Sequence, residues 1–343
     1  MLKKVSPYLF SVTHRVFGPD LSTKSLGSDK TVLSSLSKRF TVHQSVVRIA
    51  VVGDIHDLWE LEDNIALKHL GVDLALFVGD YGNEAVEVVR RIASVEVPKV
   101  AVMGNHDAYY SASKKGLKNC PYDRDKEDWV QLQLDLLGED HIGFGKREFP
   151  QFGITVVGAR PFSWGGSKWR YRKFYRDRFN VSGFSESIEM ILAAADEAQH
   201  NTVLFVGHVG PYGLGDQPED PCGKDWGKHG GGGDYGDPDF AEAIALTQDS
   251  GKQVPLVAFG HMHHQLKNNS SQLRTRVVTD PKGTVYFNAA NVPRIEKTPR
   301  GNRRSFSLVT LAHGTVDSIQ LIWLDSEFAW ISQEQLYSRT PSE

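Results

Sequence analysis

The amino-acid sequence predicts one large α/β domain whose second half is richer in β-strands than its first. Short apolar runs, most of them rich in β-branched or aromatic residues, alternate with segments of helical spacing from residue 47 onward. After His264 the pattern changes to strands joined by turns. Hydrophobic residues make up 40% and charged residues 24% of the 343 residues, which is ordinary for a globular chain with a sizeable core.

Nine strands and five helices are predicted along this domain. Six apolar runs have the composition of strands with both sheet faces covered, and they lie at 49–52, 74–78, 100–103, 154–157, 203–206 and 256–259. Three further strands are predicted at 285–287, 306–311 and 316–323. Helical spacing is found at 58–70, 84–93, 126–137, 185–198 and 239–246. Because no repeat or long linker divides residues 48–325, we assign them to a single domain and 326–343 to a C-terminal tail.

Residues 1–47 differ in composition from the rest of the chain. They contain nine Ser, four Thr and seven Lys or Arg, but only two acids, Asp20 and Asp29. A basic, Ser-rich and acid-poor segment without a continuous apolar stretch is typical of an organellar transit peptide. We therefore expect a plastid or mitochondrial protein, and the frequency of Ser and Thr favours the plastid. The alternative is a disordered leader on a cytoplasmic protein.

Several classes of protein are excluded by composition. The two cysteines, Cys120 and Cys222, cannot build a disulfide framework or a thiolate metal cluster. The net charge of −3 argues against binding to nucleic acid through overall positive charge. No apolar run approaches the roughly 18 residues that a membrane-spanning helix needs, so no membrane span is predicted.

Five predicted strands end in the same way, with a glycine followed by a polar side chain that can bind a metal. In open α/β sheets, ligands bind beyond the carboxyl ends of the strands, and glycine permits the close approach that such a site requires. A single Gly-Asp or Gly-His pair is more often an ordinary turn, but five such strand ends are not explained by packing. In extended backbone, residues two apart point to the same side, which would bring Asp54 beside His56 and His261 beside His263. The five motifs are GDIHD (53–57), GDYGN (79–83), GNHD (104–107), GHVGP (207–211) and GHMHH (260–264).

These motifs resemble the five ordered blocks of the calcineurin-like metallophosphoesterase superfamily: Asp-x-His, Gly-Asp, Gly-Asn-His-Asp/Glu, a His and Gly-His-x-His. All five are present, in order, across residues 53–264. The resemblance implies a four-layer α/β/β/α sandwich, and the β-rich second half of the chain fits its second sheet. One departure is Asn83, where many members carry an acid or a glycine; it concerns a contact near the site and not a metal ligand.

The resemblance also implies a site for two divalent metal ions, Mn, Fe or Zn, with Asp80 bridging them. Imidazole and carboxylate ligands suit these metals. In the reaction that the family implies, a hydroxide activated by both metals attacks phosphorus in line with the leaving oxygen. The two implied ligand sets are Asp54, His56, Asp80 and His263, and Asp80, Asn105, His208 and His261.

The resemblance assigns catalytic roles to the remaining residues of the GNHD block. His106 would be the general acid that protonates the leaving oxygen, and Asp107 would fix the tautomer of His106 and raise its basicity. The alternative is that His106 only donates a hydrogen bond to the phosphate.

Three further parts of the sequence bear on the substrate. Arg160 follows a predicted strand and is a candidate to bind a phosphate through its guanidinium, although a lone arginine is nearly as often an ion-pair partner. Segment 168–179 interleaves basic and aromatic residues, which suits nucleic acid, but we favour a cap whose rings pack on the sheet while its charges face water. Segment 210–239 contains Trp226 and a run of four glycines and is predicted to be a flexible lid.

We therefore predict a metal-dependent phosphomonoesterase that acts on a phosphoprotein or a small phosphometabolite. A phosphodiesterase or nuclease is the alternative within the enzyme class, with nucleic acid as the less favoured substrate. A non-catalytic scaffold is the alternative outside the enzyme class. A scaffold has no need to retain the metal-ligand positions and His106, all of which are present.

Overall fold

The computed structural model describes residues 44–227, 231–269 and 271–340. The strands in these ranges are β1 (Val46–Val52), β2 (Leu74–Phe77), β3 (Lys99–Ala101), β4 (Lys146–Phe149), β5 (Ile154–Gly158), β6 (Thr202–Val206), β7 (Gln253–Phe259), β8 (Val277–Thr279), β9 (Val285–Asn288), β10 (Ile295–Thr298), β11 (Gly301–Ala312), β12 (Thr315–Leu324) and β13 (Trp330–Ser338). The α-helices are α1 (Leu61–His69), α2 (Val86–Ala93), α3 (Tyr109–Ala112), α4 (Lys114–Lys118), α5 (Trp129–Leu137), α6 (Arg172–Phe179), α7 (Phe184–Asp196) and α8 (Pro238–Asp249).

Two sheets organise the domain. The first has seven strands, in the order β13-β12-β11-β1-β2-β3 with β10 also paired to β11. The second has six strands, in the order β4-β5-β6-β7-β9-β8. The neighbours β1, β2 and β3 are parallel, as are β5, β6, β7 and β9. The carboxyl ends of each parallel set therefore lie at one edge of its sheet, where α/β proteins place their ligands.

Alternation of side chains along the strands explains how the sheets and helices pack in layers. In β1, Ile49 packs into a core shared by both sheets, whereas Ala50 packs into a core that includes residues of α1, α2 and α5. In β6, Leu204 belongs to the shared core and Phe205 to a third core with residues of α7 and α8. The α/β/β/α sandwich predicted from the sequence is confirmed.

The described fold extends further toward the C-terminus than the sequence predicts. Segment 326–343, predicted to be a tail, contains β13, which pairs with β12 and continues the first sheet as far as Ser338. Most of this strand is exposed, so it lacks the apolar pattern by which the buried strands are recognised. At the other end the first strand begins at Val46, and the part of the predicted leader at 1–43 lies outside the described residues.

Candidate metal centre and active site

Strand ends from both sheets bring polar side chains together. Asp54, Asp80 and Asn105 follow β1, β2 and β3 of the first sheet, and His208 and His261 follow β6 and β7 of the second. Two groups there each hold three potential ligand atoms within 4.8 Å of one another. The groups are Asp54, His56 and His263, and Asp80, His208 and His261. Together with Asn105 these are the seven predicted metal ligands, and we call them the ligand cluster.

The first group has the spacing of ligands that share one cation. His56 Nε2 lies 3.0 Å from His263 Nε2. Asp54 Oδ1 lies 3.4 Å from His263 Nε2 and 3.9 Å from His56 Nε2. Metal–ligand bonds of about 2.0–2.2 Å place neighbouring ligand atoms roughly 3.0–3.5 Å apart. Asp54 Oδ1 is buried and has no hydrogen-bond partner in the described part of the chain; because such burial is costly, this oxygen fits a metal ligand.

The second group is centred on one imidazole nitrogen. His208 Nε2 lies 3.3 Å from Asp80 Oδ1 and 3.2 Å from His261 Nδ1. The side-chain oxygen of Asn105 lies 3.0 Å from the same nitrogen. One carboxylate, two imidazoles and one amide oxygen therefore surround a small volume at the ends of β2, β3, β6 and β7.

Asp80 is within reach of both groups. Its carboxylate also forms a third set of potential ligand atoms with His56 and His106, again within 4.8 Å. Burial by itself would raise the pKa of Asp80, but the charge and hydrogen bond of His208 hold that pKa well below its usual range. Asp80 is thus an ionised carboxylate between two clusters of donor atoms, which is the position that a bridging ligand requires.

Main-chain groups fix how the ligand side chains face the cluster. His208 Nδ1 lies 2.8 Å from the carbonyl oxygen of Val78. Because a carbonyl oxygen only accepts, Nδ1 carries a proton, and Nε2 is the nitrogen that faces the cluster and would offer its lone pair to a metal. In the same way the amide of His261 donates to Asp54 Oδ2 at 2.9 Å, which leaves Oδ1 for a metal.

Several residues of the cluster adopt left-handed backbone conformations. The φ angle is 51° at Asp54, 45° at His56, 56° at Asp80 and 68° at His261. Such conformations cost roughly 1–2 kcal/mol per residue and are concentrated at functional sites. The side chains therefore converge through tight turns after the strands and not through the extended backbone that the sequence suggested. These turns also divide the last motif, since His263 joins the first group and His261 the second.

At two of the strand-end glycines there is no room for a side chain. A Cβ atom on Gly104 would fall 2.8 Å from Cε1 of His208 and closer still to Oδ1 of Asp80. A Cβ atom on Gly260 would overlap Oδ2 of Asp54. Both glycines therefore allow a ligand carboxylate to lie directly against the main chain of a neighbouring strand end.

His106 lies at the border of the cluster and is held by Asn83. Its Nδ1 is 2.7 Å from Oδ1 of Asn83, so Nδ1 donates to the amide oxygen and Nε2 is left for another partner. The ring is parallel to that of Tyr109, with centroids 5.8 Å apart and planes at 7°. Asn83, the residue that departs from the family pattern, thus has the orienting role that was predicted for Asp107.

The contacts of Asp107 correct that prediction. One of its oxygens accepts from the main-chain amides of Gly104 at 2.6 Å and Asp80 at 3.0 Å, and the other accepts from the amide of Tyr81 at 2.8 Å. Asp107 lies in the 3-10 helix His106–Ala108, where consecutive side chains point in different directions. Asp107 therefore joins the two turns that present Asp80 and Asn105, and is a positioning residue.

Arg160 forms a buried network with two carboxylates. Its Nη2 donates to Asp237 Oδ1 at 2.6 Å, and its Nε donates to Asp239 Oδ2 at 2.7 Å. The hydroxyl of Ser163 donates to the same oxygen of Asp237 at 2.7 Å. Arg160 is only 4% exposed. These contacts favour a structural ion pair, which ties the segment after β5 to the start of α8, over the predicted contact with substrate.

Segment 168–179 has the character of a packed cap. It contains α6, in which Tyr175 is buried and Phe179 packs against the cores on both sides. On the outer side Lys173 pairs with Asp177. Along α6 the aromatic rings thus face the protein and most charges face water, as the favoured interpretation of the sequence predicted, whereas Arg170 before the helix lines a pocket.

A pocket of about 330 Å³ borders the cluster and His106. Sequence reasoning singled out Trp226 and the basic segment that holds Arg170, but it did not name Trp164, Tyr235 or Lys267 as functional. The signal available was the density of aromatic residues in the predicted lid at 210–239 and directly after Arg160. We call the aromatic and basic residues of this wall the aromatic rim: Trp164, Arg170, Trp226, Tyr235 and Lys267.

A sequence model of the calcineurin-like phosphoesterase family matches residues 47–265, which include the ligand cluster and His106. The chain belongs to this family. The metallophosphoesterase is therefore a hydrolase that acts on phosphoric ester bonds, and the family uses a dinuclear metal centre. The mixture of carboxylate, imidazole and amide donors in the ligand cluster, with the unpartnered oxygen of Asp54, fits two such ions.

Comparison with other proteins adds distant likenesses. No curated protein sequence matches the chain. A purple acid phosphatase from yellow lupin (Lupinus luteus) seeds is 15% identical, with a TM-score of 0.42 over 85% of this chain and 54% of that one. A dimetal phosphatase from Danio rerio is 14% identical, with a TM-score of 0.40 over 86% of this chain and 100% of that one. The family assignment rests on the sequence match.

Proposed function

We propose that this metallophosphoesterase is a phosphomonoesterase that removes a terminal phosphate from a small phosphorylated molecule. Its cofactors would be two divalent ions, Mn, Fe or Zn, held by the ligand cluster. The observation that carries the proposal is the carboxylate of Asp80, which has donor atoms on two sides within 4.8 Å and lines a pocket of about 330 Å³. A pocket of this size suits a small molecule.

The residues of the chain divide the chemistry among them. When bound, two cations in this position supply Lewis-acid polarisation of the phosphoryl oxygens and activation of water at neutral pH. Asp80 would contribute to both metal positions. The other ligands would be Asp54, His56 and His263 for the first ion, and Asn105, His208 and His261 for the second. His106 lines the pocket and would be the general acid. Nδ1 keeps the proton that it donates to Asn83, which holds the ring in place, so the proton given to the leaving oxygen is the one on Nε2.

A comparison of two aryl esters tests the reaction type. The purified protein, supplied in turn with Mn²⁺, Fe²⁺ and Zn²⁺, is expected to release phosphate from p-nitrophenyl phosphate faster than it cleaves bis(p-nitrophenyl) phosphate. Phosphopeptides and single-stranded nucleic acid complete the substrate panel. Preference for the diester or for nucleic acid would identify a phosphodiesterase or nuclease instead.

Metal analysis separates the enzyme from a non-catalytic scaffold. The purified wild-type protein is expected to carry close to two divalent ions per chain, and the Asp80→Ala variant essentially none. A protein that binds no metal at micromolar concentration, and releases no phosphate from any ester in the panel, would contradict the proposal.

We also propose that residues 1–47 direct the protein to an organelle, with the plastid favoured. The support is the composition of this segment, with nine Ser, four Thr and two acids. Fusion of residues 1–47 to a fluorescent reporter is expected to give an organellar signal, and a diffuse cytosolic signal would rule the proposal out. Among the described residues, no helix combines the length and apolar character needed to cross a membrane.

A further inference from the structure

The wall of the pocket has a chemistry that phosphate hydrolysis does not require. The ligand cluster and His106 account for the reacting phosphate. The aromatic rim adds three large rings and two flexible cations that face the same pocket. Aromatic side chains at the border of a polar site expose apolar surface to water, which is unfavourable unless a ligand covers it.

Two rings of the rim pack against each other, and several contacts hold Tyr235 in place. Trp226 and Tyr235 meet edge to face, with centroids 4.9 Å apart and planes at 76°. A Cβ atom built on Gly166 would lie 3.4–3.5 Å from three atoms of the Tyr235 ring, so the ring lies flat against this glycine. The carbonyl of Tyr235 accepts from the amide of Gly166 at 2.8 Å, and its hydroxyl accepts from Arg170 at 2.7 Å. A fixed aromatic surface of this kind loses little entropy when a flat ligand stacks on it.

The charges beside these rings are positive. The Nζ atoms of Lys267 and Lys224 lie 5.6 and 5.9 Å from the centre of the Trp226 ring. Asp225 lines the same pocket but is occupied, because it accepts from the amide of Lys267 at 2.9 Å and lies 3.3 Å from Nη2 of Arg274. The rim therefore combines aromatic surface with positive charge close to the Trp226 ring.

We propose that the substrate is a nucleotide, and specifically a nucleoside monophosphate, whose phosphate lies on the ligand cluster and whose base stacks on the ring of Trp226, with Tyr235 packed edge to face against that ring. The proposal rests on the phosphomonoesterase function. A nucleobase offers a π-face to an aromatic ring and the ribose phosphate offers negative charge to Lys267 and Arg170. A sugar phosphate has no aromatic group to stack on the rings, and a phosphopeptide has one only where it contains an aromatic residue. An internal nucleotide of a polynucleotide needs room for the chain on both sides.

Paired substrates isolate the contribution of the base. AMP and ribose 5-phosphate share the phosphate and the sugar and differ in the adenine. We expect kcat/KM for AMP to exceed that for ribose 5-phosphate by roughly 10–100-fold, the range that base stacking on one aromatic residue provides. The Trp226→Ala variant should lose most of this advantage, because its kcat/KM for AMP should fall far more than its kcat/KM for ribose 5-phosphate. The control is Trp330→Ala, since Trp330 is 45% exposed on β13 and its removal should leave the ratio unchanged.

Adenosine gives a second readout that does not depend on turnover. It should quench tryptophan fluorescence of the wild-type protein and should quench the Trp226→Phe variant less, whereas ribose should quench neither. Equal kcat/KM for AMP and ribose 5-phosphate, or preference for an oligonucleotide or phosphopeptide over every mononucleotide, would overturn the proposal while leaving ester hydrolysis intact. If no ester released phosphate, the proposed function would fail, but the adenosine titration would still test whether the pocket binds a nucleobase. Quenching that depends on Trp226 would support this assignment, and the absence of such quenching would overturn it.

Discussion

The ligand cluster and the aromatic rim border the same pocket but are built in different ways. Five of the seven cluster residues closely follow buried parallel strands: one glycine separates Asp54, His208 and His261 from their strands, two residues separate Asp80 and three separate Asn105. Main-chain hydrogen bonds fix residues such as Asp54 and His208. The rim comes from loops after β5, before α8 and after β7. The cluster is thus held by the sheets, while the rim is held by contacts among loops.

This difference separates chemistry from selectivity. The cluster supplies what any phosphoester hydrolase of the family needs, and its strained φ angles at Asp54, His56, Asp80 and His261 are tolerated because the two sheets determine the surrounding positions. The rim supplies rings and cations that have no part in water activation. Changes in the cluster should therefore affect turnover of every ester, and changes in the rim should affect the choice among esters.

The largest effect is expected from the carboxylate that serves both metal positions. Asp80→Ala should lower phosphate release by roughly 10³-fold or more on every substrate, because both cations lose a ligand. Asp54 belongs to the first group alone, so Asp54→Ala should lose one ion and retain the other. Elemental analysis of the purified variants should find about zero ions per chain in Asp80→Ala and about one in Asp54→Ala.

The control for these variants is Asp317→Ala, since Asp317 is half exposed on β12 and pairs with Arg339. It should retain both metals and full turnover. An Asp80→Ala protein with two bound ions and normal turnover would show that Asp80 is not the bridging ligand.

The next largest effect concerns the proton that the leaving oxygen requires. His106→Ala should lower kcat by roughly 10²–10³-fold for an alkyl phosphate, whose leaving group is a poor one, because general acid catalysis is lost. p-Nitrophenyl phosphate needs little protonation, so its kcat should fall much less. Equal losses on both esters would assign His106 to phosphate binding, the alternative that the sequence left open.

Most of the ligand cluster was predictable because its signal is local. A glycine and a polar residue directly after an apolar strand can be read from five consecutive residues, and the parallel sheet then determines that the strand ends meet. The sandwich follows for the same reason, since buried strands such as β2 and β6 are continuous apolar runs. The left-handed turns at Asp54 and His261 were not predictable, because only the packed strand ends impose them.

The roles of Arg160, Asn83 and Asp107 could not be read from local sequence. Arg160 meets Asp237 across 77 positions of the chain, and His106 meets Asn83 across 23. Asp107 is adjacent to His106 in sequence, yet its oxygens bind amides at Gly104, Asp80 and Tyr81. The role of each of these three side chains depends on the partner that the fold brings to it, and the residue type alone does not reveal that partner.

A test of how the rim is held uses Arg160. Replacing it in Arg160→Met would leave Asp237 and Asp239 buried without their cation, so we expect the free energy of unfolding to fall by about 3–5 kcal/mol. The matched control is Arg339→Met, because Arg339 is 48% exposed and pairs with Asp317 at 3.7 Å; exposed pairs of this kind are worth about 1 kcal/mol or less. Urea denaturation would measure both. A loss no larger for Arg160→Met than for the control would mean that the buried network does not stabilise the loops.

The smallest effect, and the finest test of the boundary between cluster and rim, concerns Asn83. Asn83→Leu removes the acceptor for Nδ1 of His106 while leaving the metal ligands in place, so we expect kcat on an alkyl phosphate to fall about 10-fold with little change in KM, the usual scale for a residue that orients a catalytic one. Asn83→Asp keeps an acceptor oxygen and should restore most of the activity. Because the effect of Asn83 is transmitted through His106, Asn83→Leu should cause almost no further loss when His106 is already alanine. A full 10-fold loss in that background would mean that Asn83 acts on the metals or the substrate by a route independent of His106.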